Sequence, residues 1–317
     1  MEIEIPTIAD VRLAADRIRP FIHRTPILTS RTLDEHVGAE LFFKCESFQK
    51  VGAFKARGAC NAVFMLDEAT AKRGVITHSS GNHAQALAYA ARLRGIPCSI
   101  VMPRNAPTVK QKAVAEYGAV ITLCEPTLQS RLETMERIIS NTGAHAIPPY
   151  DDARVIAGQG TAALEMIEDL PALDVVMAPV GGGGLMSGTA IVTRAMSPSA
   201  QVIGAEPEIA DDARRSLESG VRQPPPITTT IADGLRTALG DITFATLKAM
   251  NVRIVTSSEA SIVEATYRMM ERLKIVIEPS AAVTLGALLE DPQLVRGKRV
   301  GIIVCGGNLD VRSLLKF

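Results

Sequence analysis

Short apolar segments alternate with helical segments along almost the whole chain, and this alternation constrains the fold more than any other feature. Thr7 can cap a first helix, and the segments that follow switch repeatedly between strand and helix patterns. Such alternation is typical of parallel sheets buried between layers of helices, so the sequence predicts an α/β fold. Strands are predicted at 41–45, 74–79, 98–102, 119–123, 174–178 and in QVIGAE, VRIVT and RVGIIVC. Helices are predicted after Phe54, at 82–94, 109–117, 127–141 and 155–170, and from 185. The prolines at 224–226 predict an exposed loop.

The bulk composition excludes several classes of function. The chain has 317 residues, which is enough for two modest lobes or one large domain. Its 34 basic and 34 acidic residues balance, so no bulk field would recruit nucleic acid or an anionic membrane. No apolar run reaches the roughly 18 residues that span a bilayer, and the acidic N-terminus lacks the pattern of a signal peptide. We therefore expect a small-molecule partner, with neither nucleic acid nor membrane involved.

The cysteines favour a reducing compartment. They are scattered, odd in number and form no CxxC pair, so neither a disulfide framework nor a zinc ribbon is indicated. A cytoplasmic location fits this pattern best. The five are Cys45, Cys60, Cys98, Cys124 and Cys305.

A run of four glycines, in APVGGGGLMSG at 178–188, lies between a predicted strand and a predicted helix. The backbone N–H groups of Gly181, Gly182, Gly183 and Gly184 can surround one anion, and the following helix adds its positive end. A flexible linker is the simpler alternative, but linkers rarely lie inside a strand–turn–helix unit. Neither the Walker pattern nor the GxGxxG spacing is present, so the run predicts a site for a single compact phosphate.

A lysine follows Gly-Ala-Phe at the start of a predicted helix, in SFQKVGAFKARGACNAV at 47–63. The positive end of the helix disfavours the charged form of this lysine, and a lowered pKa frees its amine for a Schiff base. A lysine on the surface of a helix is the simpler alternative. Composition alone does not rank Lys44, Lys50 and Lys55.

Eight motifs together resemble one family. In chain order they are FKCESFQKVGAFKARGA, THSSGNHAQALAYAA, PYDDARVIAGQGT, PVGGGGL, AEPEIADD, TIADGLRTALG, IEPSAA and VCGGNLD, and they extend from about residue 42 to 310. The chain resembles the fold-type-II pyridoxal-phosphate enzymes, in the branch of serine racemase, serine/threonine dehydratase and 3-hydroxyaspartate ammonia-lyase. The resemblance implies a homodimer and two open, twisted parallel-sheet domains. Residues 1–50 and 148–317 would form a large cofactor-binding domain, and residues 51–147 a small mobile domain.

The resemblance also implies how the cofactor is held. Pyridoxal 5′-phosphate would form a Schiff base with Lys55, while the glycine run and Leu185 hold its phosphate. Phe54 would pack near the cofactor ring, and Asn82 would donate a hydrogen bond to the ring oxygen. Cys305 stands where the family usually has a serine that faces the pyridine nitrogen. A thiol is a weaker donor and can ionise, and the simpler alternative is a buried cysteine that acts as a small hydrophobe. A neutral partner makes a weaker electron sink, which suffices for β-elimination.

Substrate contacts are implied at a turn into a helix, where N–H and hydroxyl groups suit a carboxylate. The residues of this turn are Ser79, Ser80, Gly81, Asn82 and His83. Without the resemblance, His83 would be interpreted as a helix-start histidine with a local hydrogen bond. The Lys55 amine, or Ser80 from the opposite face, would remove the α-proton of the substrate.

Two arginines could bind a second substrate carboxylate, which calls for a guanidinium partner. Arg131 lies at a position that the family uses near the substrate, and Arg236 lies in ADGLRTALG beside the expected mouth of the site. Each is otherwise an ordinary surface arginine.

A divalent-metal site is implied at Glu206, Ala210 and Asp212. Two carboxylates and a backbone carbonyl are hard oxygen ligands that suit Mg²⁺, Mn²⁺ or Ca²⁺. The spacing by itself indicates only an acidic loop.

The implied activity is that of a carbon–oxygen lyase, an ammonia-lyase that removes water from a β-hydroxy amino acid and yields a 2-oxo acid and ammonia. The segment AIPPYDDARVIAGQGT most resembles the hydroxyaspartate and threonine dehydratase members of the family. Of these substrates we expect 3-hydroxyaspartate, which would give oxaloacetate. Serine/threonine dehydratase and serine racemase are alternatives, because Lys55 and Ser80 on opposite faces would also allow racemisation. A non-catalytic protein that binds a nucleotide or effector on the same fold is an alternative of another class, and it would lack the visible absorption of a Schiff base.

Overall fold

A computed structural model gives the architecture of the chain and describes residues 3–106, 108–225 and 229–311. Helices and strands alternate along these residues, as the hydrophobic pattern predicts. The helices are α1 (Ile8–Ile18), α2 (Arg31–Val37), α3 (Lys55–Phe64), α4 (Glu68–Lys72), α5 (Asn82–Arg94), α6 (Thr108–Ala115), α7 (Leu128–Thr142), α8 (Ala153–Asp169), α9 (Gly184–Met196), α10 (Asp212–Ser219), α11 (Asp241–Ala249), α12 (Glu259–Leu273) and α13 (Pro279–Glu290).

The strands form two sheets. One has six strands in the order β1-β2-β10-β7-β8-β9, and the other has four in the order β5-β4-β3-β6. Every pairing is parallel except that of the short edge strand β1 with β2, which is antiparallel. The strands are β1 (Ile27–Leu28), β2 (Glu40–Cys45), β3 (Val75–His78), β4 (Cys98–Pro103), β5 (Val120–Cys124), β6 (His145–Ala146), β7 (Val175–Pro179), β8 (Gln201–Pro207), β9 (Arg253–Ser257) and β10 (Arg299–Val304).

The central strands of the larger sheet are mostly apolar because helices cover both of its faces. All five residues of β7 are buried, as are the last five of β10. The sequence analysis did not predict the two short strands β1 and β6, because two residues are too few to show a periodic pattern. Helix α8 begins two residues earlier than predicted, since Asp152 accepts hydrogen bonds from the backbone of Arg154 and Val155 and so caps the helix.

The carboxyl ends of strands from both sheets carry the motifs of interest. The glycine run follows β7, Cys305 follows β10 and Ser79 follows β3. Asn82, at the start of α5 beside the smaller sheet, reaches Glu278 at the start of α13, which packs on the larger sheet. The two carboxyl edges therefore face one another, and ligands of open α/β sheets bind at such edges.

The four-stranded sheet lies within 75–146, and the six-stranded sheet is built from 27–45 and 175–304. Helix α3 packs against both α5 and α8, so the expected boundaries at 50/51 and 147/148 stay a prediction. Pro224 and Pro225 are exposed, as the loop prediction requires, whereas Pro226 lies outside the described residues. Within the described ranges, no helix combines the length and apolarity needed to cross a bilayer.

Candidate active site

Lys55 opens helix α3 between the two sheets. The backbone N–H of Phe54 donates to the carbonyl of Cys305 at 3.0 Å, which fixes the helix start against the end of β10. The Lys55 amine donates to the carbonyl of Pro149 at 2.7 Å and lies 4.9 Å from the centroid of the Phe54 ring. Burial lowers the pKa of Lys55 to about 8, against the opposing influence of Cys305 and Glu278. A substantial neutral fraction near neutral pH makes this amine a nucleophile and a base.

Lys44, which composition could not separate from Lys55, has a different environment. It is fully buried, and its amine donates to the carbonyl of Thr25 at 2.7 Å and to Glu165 at 2.6 Å. An amine held in a buried ion pair is not free for covalent chemistry. The structure therefore favours Lys55 as the reactive lysine.

The glycine run forms a tight turn at the start of α9. Gly183 has a φ of +86°, a left-handed conformation that favours glycine. A Cβ on Gly182 would lie 2.2 Å from the Tyr150 ring, and one on Gly183 would lie 2.7 Å from Leu239, so side chains would close the turn. The backbone N–H groups of Gly182 and Gly183 donate no hydrogen bond to a described residue. Unpaired N–H donors beside the start of α9, with buried Leu185 behind them, fit one phosphate group.

A hydrogen-bond network joins the two sheets at Asn82. Its side-chain nitrogen donates to both carboxylate oxygens of Glu278 at 3.0 Å, and its oxygen accepts from Asn308 at 2.8 Å. The Cys305 sulfur lies 3.8 Å from the same carboxylate. Burial and the neighbouring carboxylate raise the pKa of Cys305 well above its usual value. The thiol therefore stays protonated, contrary to the concern that it would ionise.

The turn after β3 presents polar groups between the sheets. Ser79, Ser80, Gly81 and Asn82 are all partly exposed there, and the Ser79 hydroxyl accepts from the Gly81 N–H at 3.4 Å.

His83 is buried beneath this turn. Its Nε2 lies 2.9 Å from the carbonyl of Ile147, far away in the chain, so its hydrogen bond is not the local one expected from a helix-start histidine. Burial and Lys55 lower the pKa of His83 to about 3. The ring is therefore neutral, with Nε2 as the donor and a buried Nδ1 that has no partner among the described residues.

The two candidate arginines lie in different surroundings. Burial lowers the pKa of His78 at the end of β3, and the positive charge of Arg131, on α7, lowers it further. Helix α7 packs against β3. The Nε of Arg131 is buried with no hydrogen-bond partner among the described residues. Arg236 is exposed, and its guanidinium donates to the carbonyl of Thr230. Of the two arginines, only Arg131 thus has a buried guanidinium nitrogen without a partner among the described residues, and its helix packs against β3, which the turn at Ser79 follows.

Glu206 is buried near the end of β8, a few residues before Ala210 and Asp212 in the chain. Burial raises the pKa of Glu206 to about 8 and that of Asp212 to about 7. Glu206 accepts backbone hydrogen bonds from Ala213 and Arg214, and Asp212 Oδ2 is buried without a partner in the described part of the chain. Among the described residues, no group of three or more His, Cys, Asp or Glu side chains is arranged so that it could hold a metal ion. Once ionised, these two carboxylates would nonetheless suit one hard cation, with a backbone carbonyl as a further ligand.

Several residues near the site were not singled out by sequence reasoning. Glu278 and Asn308 hold Asn82, and Tyr150 lies against Gly182 and Gly184. Each occurs in a quoted motif (IEPSAA, VCGGNLD or PYDDARVIAGQGT), but a motif alone does not show which of its members face the site.

A nucleophilic lysine and a turn for one phosphate, held between two parallel sheets, define an α/β enzyme with a phosphorylated carbonyl cofactor. A family model described as "Pyridoxal-phosphate dependent enzyme" matches residues 18–306, and the chain belongs to this family. The cofactor, the fold-type-II architecture and the expectation of an enzyme are thereby confirmed.

Similar proteins narrow the branch of the family. The β-hydroxyaspartate dehydratase of Paracoccus denitrificans is 53% identical over 310 residues, which cover 98% of each chain. The serine racemase of Dictyostelium discoideum is 47% identical over 314 residues, which cover 98% of this chain and 97% of that protein. The crystal structure of that serine racemase has a TM-score of 0.92 and covers 96% of this chain and 99% of its own. These relatives confirm the expected branch and give no support to a non-catalytic nucleotide-binding protein.

Proposed function

We propose that this protein is a pyridoxal-phosphate-dependent dehydratase that converts 3-hydroxyaspartate into oxaloacetate and ammonia. The Nε of Arg131 carries the choice of substrate, because it is buried without a partner among the described residues on a helix that packs against β3. The similarity to a β-hydroxyaspartate dehydratase supports the same choice.

Arg131 is suited to a second substrate carboxylate. A guanidinium nitrogen that is buried without a partner is costly to maintain, and the partly exposed Arg131 has such a nitrogen in its Nε, within the described part of the chain. Its planar fork matches a carboxylate with two parallel hydrogen bonds. Serine and threonine have no β-carboxylate, whereas 3-hydroxyaspartate has one. The site would therefore gain a neutralising partner from 3-hydroxyaspartate alone among these three.

The chain offers a contact for each part of the cofactor. Lys55 would hold it covalently, Phe54 would pack near the ring, and Asn82 would hydrogen-bond the ring oxygen. The phosphate would bind at Gly181, Gly182, Gly183, Gly184 and Leu185. When bound, pyridoxal phosphate supplies an aldehyde that links to an amine and a ring that delocalises an electron pair from the α-carbon. Cys305, as a neutral thiol, would leave the pyridine nitrogen unprotonated.

The proton transfers follow from Lys55 and the turn after β3. Hydroxyl and N–H groups of Ser79, Ser80, Gly81, Asn82 and His83 would fix the α-carboxylate. The neutral Lys55 amine would then remove the α-proton, or Ser80 would do so from the opposite face for the other enantiomer. As the electron pair forms a double bond between the α- and β-carbons, the β-hydroxyl leaves. The proton taken by the base balances the one that this hydroxyl needs to depart as water. Hydrolysis of the released product adds water and frees ammonia.

A divalent cation would be held by Glu206, Asp212 and the carbonyl of Ala210. Mg²⁺, Mn²⁺ and Ca²⁺ all fit oxygen ligands, and the raised carboxylate pKa values support a role for positive charge there.

The remaining proposals concern assembly and compartment. We propose a homodimer, since Phe48 and Val276 are exposed on neighbouring segments that meet at Gly307. We also propose that residues 51–147 move as a small domain. The five cysteines are free and buried, which supports a reducing compartment such as the cytoplasm.

Serine racemase is the second candidate function. The Dictyostelium discoideum serine racemase is nearly as similar as the dehydratase, and bases on opposite faces would allow inversion at the α-carbon. Serine/threonine dehydratase uses the same chemistry without a second carboxylate.

The test compares substrates and arginine variants. Ammonia release and enantiomer composition are measured for the stereoisomers of 3-hydroxyaspartate, serine and threonine. Wild type should show the highest kcat/KM with a 3-hydroxyaspartate isomer. Arg131→Ala should lower that value by roughly 30- to 4,000-fold, the effect of about 2–5 kcal/mol from a broken buried charge pair. Serine turnover should change little, because serine makes no contact with Arg131.

Arg236→Ala is the matched control, since Arg236 is exposed and bonded to Thr230. It should leave the preference unchanged. A wild-type preference for serine or threonine would show that the substrate is wrong and would favour the racemase or the general dehydratase. An Arg131→Ala variant that keeps the preference for 3-hydroxyaspartate would show that Arg131 does not bind the second carboxylate.

A further inference from the structure

A four-residue segment, 149–152, contacts the main parts of the cofactor site. The carbonyl of Pro149 accepts from the Lys55 amine at 2.7 Å. The Tyr150 ring lies so close to Gly182 that any Cβ there would overlap with it. Asp152 caps helix α8. The remaining member, Asp151, has no role in the chemistry described above, yet its carboxylate is fully engaged.

Asp151 caps helix α11 from 90 residues away in the chain. Its Oδ2 accepts from the N–H of Asp241 at 3.0 Å, and its Oδ1 accepts from Ile242 at 2.8 Å and Thr243 at 3.2 Å. The residue before this helix is Gly240, which has no side chain to cap it. A Cβ on Gly240 would lie 2.1 Å from the Asp151 carboxyl carbon, so the glycine also makes room for the cap.

Thr243 connects the capped start of α11 to the glycine run. Its hydroxyl accepts from the N–H of Gly240 at 2.8 Å and donates to the carbonyl of Gly182 at 2.8 Å. The peptide bond between Gly182 and Gly183 is planar and trans, so its C=O and N–H point in opposite directions. With the carbonyl held toward Thr243, the N–H of Gly183 must point away from α11. Glycine would otherwise leave this peptide free to rotate.

We propose that Asp151 is a positioning residue for the phosphate of the cofactor. Through Thr243 it sets the orientation of the Gly182–Gly183 peptide and thereby presents the Gly183 N–H to a phosphate monoester. The proposal rests on membership of the pyridoxal-phosphate family and is independent of which amino acid is the substrate.

The test measures cofactor affinity rather than turnover. Holoenzyme variants are dialysed to equilibrium against graded pyridoxal phosphate, and bound cofactor is read from its absorbance. The same titration with pyridoxal, which lacks the phosphate, separates phosphate binding from ring binding. Asp151→Ala removes the cap, Thr243→Val removes the hydroxyl at constant shape, and Thr243→Ser restores it.

Asp151→Ala and Thr243→Val should each raise the dissociation constant of pyridoxal phosphate at least tenfold, with less than a threefold change for pyridoxal. Thr243→Ser should bind both within threefold of wild type. The double variant of Asp151→Ala and Thr243→Val should bind pyridoxal phosphate no more weakly than the weaker-binding single variant, because both substitutions act on one peptide. Asp67→Ala is the matched control: Asp67 caps α4, where its carboxylate accepts from Thr70 at 2.9 Å, and its loss should change neither constant.

Equal weakening of pyridoxal and pyridoxal phosphate would mean that Asp151 is merely structural and would overturn the proposal. Unchanged phosphate affinity in Thr243→Val, or additive effects in the double variant, would do the same. If Asp151→Ala does not fold, the two Thr243 variants decide the question on their own.

Discussion

Removal of the divalent cation should destabilise the enzyme more at pH 8 than at pH 6. Glu206 and Asp212 have pKa values raised by burial to about 8 and about 7, whereas unfolded carboxylates ionise near 4–4.5. Between these limits the folded state binds more protons than the unfolded state. Stability without a cation must therefore fall as pH rises from about 5 to about 8. A cation favours the ionised carboxylates and opposes this fall.

The size of the effect follows from the two pKa values. At pH 6 about 1% of Glu206 and about 10% of Asp212 are ionised, so both are ionised in roughly 0.1% of molecules. At pH 8 the corresponding fraction is about 45%. Cation affinity should rise on the order of 500-fold, which is about 4 kcal/mol at saturating cation. For 317 residues, an unfolding entropy near 2.1 cal/mol/K per residue converts this to about 6 °C in Tm.

The measurement is the Tm of the holoenzyme with excess Mg²⁺ minus its Tm with chelator, at pH 6, 7 and 8. The difference cancels every other titrating group. It should increase by about 6 °C across this range and vanish in Asp212→Asn. Asp16→Asn is the matched control, because Asp16 lies on helix α1, is exposed and is paired with Arg19, so its loss should leave the trend intact. A difference that is zero or independent of pH would refute the reasoning.

Two further predictions concern the lysine and the buried ion cluster. Borohydride reduction of the holoenzyme should label Lys55 and spare Lys44, whose amine is paired with Glu165. Lys55→Ala should abolish turnover. A label that peptide mass mapping finds on another lysine would contradict the assignment. Arg57→Met should lower the free energy of unfolding by about 3–5 kcal/mol, because it leaves the buried Glu46 carboxylate without its partner. Arg31→Met, at the exposed Arg31–Glu35 pair, should lower it by under about 1 kcal/mol. Chemical denaturation measures both changes. Similar losses in both variants would refute the second prediction.

Much of the fold was predictable because it is encoded locally. The apolar strand 174–178, the glycine run and the helix after it each have a signature within a few neighbouring residues, and the structure has β7 and α9 there. The lysine was predictable in the same way, as a residue at a helix start within a motif. Local signals also misplaced the start of α8 by two residues, since apolar periodicity does not show the cap by Asp152.

The tertiary structure decided which polar residues work together. Asn82 meets Glu278 across 196 residues and Asn308 across 226, and Asp151 caps a helix 90 residues away. It also separated Arg131, whose buried Nε has no partner in the described part of the chain, from Arg236, which is bonded to Thr230 at the surface. Periodicity and capping depend on neighbours in the chain, so a sequence by itself determines elements and motifs. Contacts between distant segments depend on how two sheets face one another, and burial, pKa and hydrogen-bond partners exist only after those sheets have packed.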